Sequence, residues 1–329
     1  MRSLTLLLFL FLFLGNLNSQ TSTEHIRNEI DKIINFDTDI TFDRTPGWMI
    51  GIVMGDSTYM FEYGTTDRKN TVPPTTQTKF EIGGSTKVFT ASLIEVLYEK
   101  GLMHPDSSLN SYLGPNLGNP KTDFIKIKDL VQHTSCLPRM PHDFGVKEKE
   151  PNNPYGNYKK ADLIRFYQAC PCYPSKKLEY NYSHVNYALL EIAIEQHLQK
   201  SFETVLNEHL LAPLGMTNTS IQLFDQRSMS KGYSISGQEV APWAFNSFGA
   251  SEGLKTNMED ILKFAKANLT QSKNPVSPTL HKTHASIVET NITKTLLSPA
   301  AGIQLLTNDF MIPLFILERL LVTDLLLVW

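Results

Sequence analysis

Apolar residues after position 22 recur with a helical period, at Ile26, Ile30, Ile33 and Ile34 on an otherwise polar background, which predicts a first helix over 23–34. The period then changes. "WMIGIVM" (48–54) and "STYMFEY" (57–63) are short and rich in apolar, β-branched and aromatic residues, and Gly55-Asp56 between them is a turn dipeptide, so they read as the two strands of a hairpin. From Thr86 the apolar positions Val88, Phe89, Leu93, Val96 and Leu97 return to one helical face, with Gly101 placed to end the helix. Further helices are predicted at 127–133, 161–169, 185–197, 202–210 and 258–269. "GPNLGNP" (114–120) and "EPNNPYGN" (150–157) read as loops within this helical middle, and no internal repeat is found. The hairpin thus precedes the helix from Thr86, and the middle of the chain is helical.

The two ends differ from this pattern. Arg2 followed by the apolar run Leu4 to Leu14 and the small polar stretch Asn16 to Gln20 reads as a bacterial secretory signal peptide over 1–20, since the run is shorter than the roughly 20 residues of a spanning helix. That gives a main domain over 21–305, and a periplasmic or secreted location. Residues 306–329 form an apolar tail interrupted by Pro313, Glu318, Arg319 and Asp324, a poor membrane span. The expectation is a non-native tail left by a lost reading frame, with a genuine but divergent closing helix as the alternative; the domain's closing strands are then missing, and no stable membrane span remains once the signal is removed.

With 329 residues, 41% hydrophobic and 19% charged, the chain can bury a large core. Its net charge of -3 offers no basic face, which excludes nucleic acid and favours small-molecule partners. Cys136, Cys170 and Cys172 are odd in number, and Cys170-Pro171-Cys172 is too tight to close easily on itself, so ordinary thiols are expected. No Cys/His spacing completes a zinc set, and no metal or organic cofactor is implied.

Five ordered blocks carry the functional signal: "FEIGGSTKVFTASLI", "LVQHTSCLPRMP", "YNYSHVNYALLEIAIE", "LLAPLGMTNTSI" and "GASEGLKTNMEDILKFAKANL". In this order and spacing they resemble the family of class C β-lactamases, DD-peptidases and related esterases. The resemblance implies an α+β, β-lactamase/transpeptidase-like fold, an antiparallel sheet flanked by helices with a helical subdomain inserted after the nucleophile helix. It also implies an acyl-enzyme mechanism. The serine of S-x-x-K attacks a β-lactam, D-Ala peptide or ester carbonyl, the lysine one turn later helps remove its proton, and the tyrosine of Y-x-N shares the acid-base work.

Carried onto this chain, Lys87 matches the family lysine and Tyr182 the family tyrosine, while Gly84 stands where the nucleophile belongs. Ser85 is a poor substitute. Residues two apart on a helix differ by about 160° and those three apart by about 60°, so Ser85 points away from Lys87. A slip of one residue would rotate the apolar face by about 100° out of the core. Its expected role is a helix cap. In the second motif His184 replaces the family asparagine, and a neutral imidazole can likewise donate and accept, which makes His184 a substrate-binding candidate.

The remaining matches are weak. Ser228-Met229-Ser230-Lys231 repeats the S-x-x-K spacing without a periodic helix behind it, and Lys282-Thr283-His284 replaces the glycine of a K-T-G motif by a bulky ring. Cys136 stands in the H-T-S-G-L-P block where the resemblance has glycine, in a loop expected to shape the rim of the cleft. The reading is therefore an exported serine hydrolase of this family acting on a small-molecule or peptidoglycan-like substrate, impaired by Gly84. The alternative is an inactive ligand-binding relative or the product of a decayed gene.

Overall fold

The structure is a computed structural model and describes residues 23–35, 46–54, 56–145, 153–174, 179–222, 225–234, 236–269 and 274–283, with four short strands beyond residue 287. The signal-like segment 1–20 and most of the tail 306–329 lie outside the described residues.

Helix α1 (23–35) is followed by the hairpin β1 (Gly47–Met54) and β2 (Ser57–Gly64), antiparallel over its full length from Gly47↔Gly64 to Met54↔Ser57. The helical stripe of α1 finds its partner there. Ile30 buries against Ile50, Ile52 and Phe61, flanked by Ile26 and Ile34, while Ile33 stays 65% exposed. The Arg27 guanidinium lies over the Phe61 ring at 5.0 Å.

A short strand β3 (Lys79–Glu81) leads through a single 3-10 turn, Gly83–Ser85, into α2 (Thr86–Glu99). Gly101 adopts φ +69° and closes α2, with the Leu102 amide bonding back to the Leu97 carbonyl at 2.8 Å. The middle of the chain is helical: α3 (Leu109–Leu113), α4 (Ile127–Val131), α5 (Lys160–Ala169), α6 (His184–Leu198), and α7 (Phe202–Leu206), which runs through a wider turn at Asn207–Leu211 into α8 (Ala212–Leu214). Two small strands, β4 (Gly232–Tyr233) and β5 (Glu239–Val240), precede α9 (Gly249–Glu252), β6 (Lys255–Asn257), α10 (Met258–Leu269) and α11 (Ser277–Lys282).

Helices α2 and α6 form the centre of the core. Both are buried on nearly every face, from Thr86 to Leu97 and from His184 to Ile194, as expected for helices packed on all sides. Phe89 of α2 meets Phe264 of α10 with ring centroids 4.3 Å apart. Helix α10 lies so close to β1 that a side chain on Gly51 would meet Met258 Sδ at 2.4 Å, which is why a glycine interrupts that apolar strand.

Beyond α11, β7 (Val288–Glu289) pairs with β8 (Leu296–Leu297). In the tail, β9 (Phe315–Ile316) pairs with β10 (Leu325–Leu327), and β10 joins the free edge of β1 at Gly51↔Leu326 and Ile52↔Leu325. The edge that a loss of closing strands would leave open is thus paired over these two residues.

The expectation of three ordinary thiols is corrected. Cys136 and Cys172, 36 residues apart in sequence, form a disulfide with Cα atoms 6.0 Å apart, and Cys170 alone is free and buried. The Cys170-Pro171-Cys172 spacing excludes a bond between its own two cysteines but says nothing of Cys136, which the fold brings to Cys172 by placing the H-T-S-C loop against the segment after α5.

Candidate active site

The heads of α2 and α6 meet at one place, and this juxtaposition builds the site. Helix α2 is fixed there by the segment of α9 and the residues after it. The pairing of β3 with β6, with Glu81 opposite Lys255, brings that segment alongside, and the Ile82 amide donates to the Leu254 carbonyl at 3.1 Å. The Leu254 amide donates to Thr86 Oγ1 at 3.1 Å, and Thr90 Oγ1 donates to the Ala250 carbonyl at 2.7 Å. These bonds pin the rotation of α2, so a one-residue slip would break both.

With the register fixed, Lys87 points into the site and position 84 carries no side chain. The helical backbone already runs through Ser85, whose φ and ψ are -61° and -18°. Ser85 is buried, and its hydroxyl makes no capping bond to the helix, which corrects its expected role as a hydrogen-bonding cap. Nor does it reach the lysine. Among the described residues Lys87 Nζ contacts the Glu252 carboxylate, the Ser251 carbonyl at 3.1 Å and His184 Nδ1 at 3.2 Å. It also lies over the Tyr182 ring, 5.2 Å from its centroid.

Tyr182 and His184 are placed by the H-T-S-C-L-P-R loop. The His133 carbonyl accepts from the Asn181 amide at 2.8 Å and its ring Nδ1 accepts from the Ser183 amide at 3.0 Å, so one residue holds both amides flanking Tyr182. To do this His133 takes a left-handed backbone, φ +59°. Burial first, then the nearby Lys87 and His184, push its imidazole well below the usual histidine range, which suits a neutral ring accepting at Nδ1. Ser183 Oγ donates to the Pro138 carbonyl at 2.7 Å, the His184 amide donates to the Arg139 carbonyl at 3.0 Å, and the Arg139 guanidinium lies over the Tyr182 ring. In the same loop Cys136 has φ +68°. That conformation favours glycine, the residue the family resemblance has there, and the disulfide to Cys172 ties down this strained point.

One residue that motif matching passes over dominates the electrostatics. Glu252, at the end of α9, is 7% exposed and forms an ion pair with Lys87. Its Oε1 also receives His184 Nδ1 at 2.5 Å and Ser251 Oγ at 3.3 Å. Burial raises its pKa, but the Lys87 charge and the hydrogen bond from His184 outweigh this and hold it at about 2. Burial and then Lys87 lower the pKa of His184, so the ring is neutral and donates its Nδ1 proton to Glu252.

Ser251, His184 and Glu252 have the residue types of a hydrolytic triad but not its geometry. The serine hydroxyl lies 3.4 Å from His184 Nδ1, the same nitrogen that meets Glu252, so the ring cannot pass a proton from one to the other. Ser251 is also fully buried.

The other lysine-containing matches lie elsewhere. Lys282 pairs with Glu99 at the far end of α2 at 2.8 Å, and His284 is outside the described residues. The Ser230 amide bonds the Lys79 carbonyl, and Lys231 pairs with Glu239 beside β4.

Known proteins share the chain's sequence pattern and its fold. The sequence profile of the beta-lactamase family matches residues 35–306. Protein flp of Staphylococcus aureus strain N315 is 28% identical over 291 residues, covering 85% of this chain and 55% of that protein. The unguisins hydrolase ungD' of Aspergillus campestris is 27% identical over 256 residues, covering 72% and 47%. The chain therefore spans about half the length of these curated relatives. The crystal structure of a beta-lactamase/D-alanine carboxypeptidase from Pseudomonas syringae superposes with a TM-score of 0.68 at 19% identity, covering 85% of this chain and 74% of that one, which shows a common fold. With its ordered motifs, its β-lactamase/transpeptidase-like architecture and a profile match over most of its length, the chain belongs to the beta-lactamase family of serine hydrolases.

Proposed function

We propose that this protein keeps the cleft of an exported serine hydrolase but does not form an acyl-enzyme, and serves as a ligand-binding relative. The ligand class is that of the family resemblance: a β-lactam, a D-Ala-containing or other peptidoglycan-like peptide, or a small ester. The observation that carries the reading is the Lys87–Glu252 ion pair behind a position 84 that has no hydroxyl. Acyl transfer needs a nucleophile and a base to take its proton. Here the oxygen is missing, the amine is committed to a carboxylate, and the neutral His184 spends its proton on the same carboxylate.

Export is supported by the signal-like 1–20 segment and by the Cys136–Cys172 disulfide, a bond that persists in oxidising compartments. No helix among the described residues is long and apolar enough to cross a membrane.

The test is intact mass after incubation with a fluorophosphonate or a reactive β-lactam, with Gly84→Ser run alongside. No adduct on the unaltered chain is expected. An adduct there, mapped to Ser85 or any other residue, would overturn the reading and restore an active hydrolase.

A further inference from the structure

We infer that the cluster of donors at the head of α2 is a built site for a small monocarboxylate, which the side chain of Glu252 occupies from within the chain. This deepens the functional reading above, on which it rests for the absence of a competing covalent reaction.

Three donors from three elements converge on one oxygen. Lys87 comes from α2, His184 from the first residue of α6 and Ser251 from α9, and all meet Glu252 Oε1. Each donor is itself buried, at 1%, 4% and 0% exposure, so water does not substitute for the carboxylate. The second oxygen faces the turn ahead of the helix, where a side chain on Gly83 would stand 3.7 Å from Oε2. Gly83, at φ +48°, leaves that space open.

The donors are held by bonds that do not involve the Glu252 side chain. Thr86 and Thr90 fix α2, the Arg139 carbonyl fixes the His184 amide, and the Ser251 amide bonds the Phe248 carbonyl. A preorganised cation and two neutral donors around a single oxygen position are an anion site, and its present occupant, the unbranched Glu252 side chain, sets its size at that of a short unbranched acid. An outside ligand bearing a carboxylate has to displace Glu252 to reach Lys87.

The size of the occupant gives the test. Glu252→Ala removes the equivalent of acetate, and Glu252→Gly the equivalent of propionate. We expect a saturable rise in Tm with sodium acetate for Glu252→Ala, a larger rise with propionate than with acetate for Glu252→Gly, and no saturable rise for the unaltered chain. Sodium chloride at matched ionic strength is the control, and Lys87→Met/Glu252→Ala should lose the response. Should Glu252→Ala not fold in plain buffer, its soluble refolding yield should rise in acetate over chloride. Equal responses in acetate and chloride, or the same response in the unaltered chain, would overturn the inference. The functional reading fails separately, by a covalent adduct on the unaltered chain.

Discussion

Lys87 and Glu252 form an ion pair in which neither side chain is more than 8% exposed. A buried pair is weak evidence of stability in itself, but removing one member leaves an uncompensated charge in the core. Lys87→Met should therefore destabilise the fold by about 3 to 5 kcal/mol, and Lys87→Met/Glu252→Leu should recover most of the loss. Urea denaturation of both variants measures this. Equal losses in the single and double variants would mean that the pair is not what the site depends on.

The same pair sets an acid limit. Glu252 ionises more readily in the folded chain than in the unfolded one, so its contribution is complete above the ordinary value of 4.5 and is lost as pH falls toward about 2. The size of the loss is about 3 kcal/mol. His133 and His184, both lowered, act in the same direction from 6.5 downward, because the unfolded chain takes up their protons first. Stability measured against pH should fall steadily on the acid side. The Lys87→Met/Glu252→Leu variant should lose less between pH 4.5 and 2.

The disulfide predicts a thiol count. Titrated in denaturant, the chain should show one reactive thiol without reductant and three with it. Cys136→Ser/Cys172→Ser should lower stability by about 3 to 4 kcal/mol, the chain-entropy value for a loop of this length. Three thiols in the unreduced protein would contradict the bond.

His133 organises Tyr182 through the amides on either side of it. His133→Ala removes the acceptor for the Ser183 amide, and a buried donor left unmade costs about 1 to 3 kcal/mol. The Asn181 amide keeps its backbone partner. We expect that loss together with altered ring resonances of Tyr182, which packs on His133 at 4.6 Å, while Lys87 and Glu252 keep their pairing. Unchanged Tyr182 resonances would show that the ring is placed by other contacts.

Helices α2 and α10 and the β1–β2 hairpin were legible in the sequence because periodicity is a local signal, and Lys87, Tyr182 and His184 were singled out by the family resemblance of the motifs that carry them. Glu252 was not, although it lies within the block "GASEGLKTNMEDILKFAKANL". A glutamate beside glycine reads as a solvated turn residue, and only the pairing of β3 with β6 carries it under Lys87. Its one local hint is a lone carboxylate in a run of small residues. The Cys136–Cys172 bond was hidden for the same reason: 36 residues separate its ends, and no local pattern joins them.

The hydrogen bonds that link Thr86 and Thr90 with the 250–254 segment tie two positions of the site together. They join the backbone that carries Gly84 to the backbone that carries Glu252, so substitutions at the two positions act on one rigid unit and their effects do not add. A serine placed at position 84 alone would still face a lysine paired with Glu252, and loss of Glu252 alone would leave Lys87 unpaired beside a position without a hydroxyl. On the proposed reading the two positions therefore count as one, and a serine at 84 with a free lysine beside it takes both substitutions together.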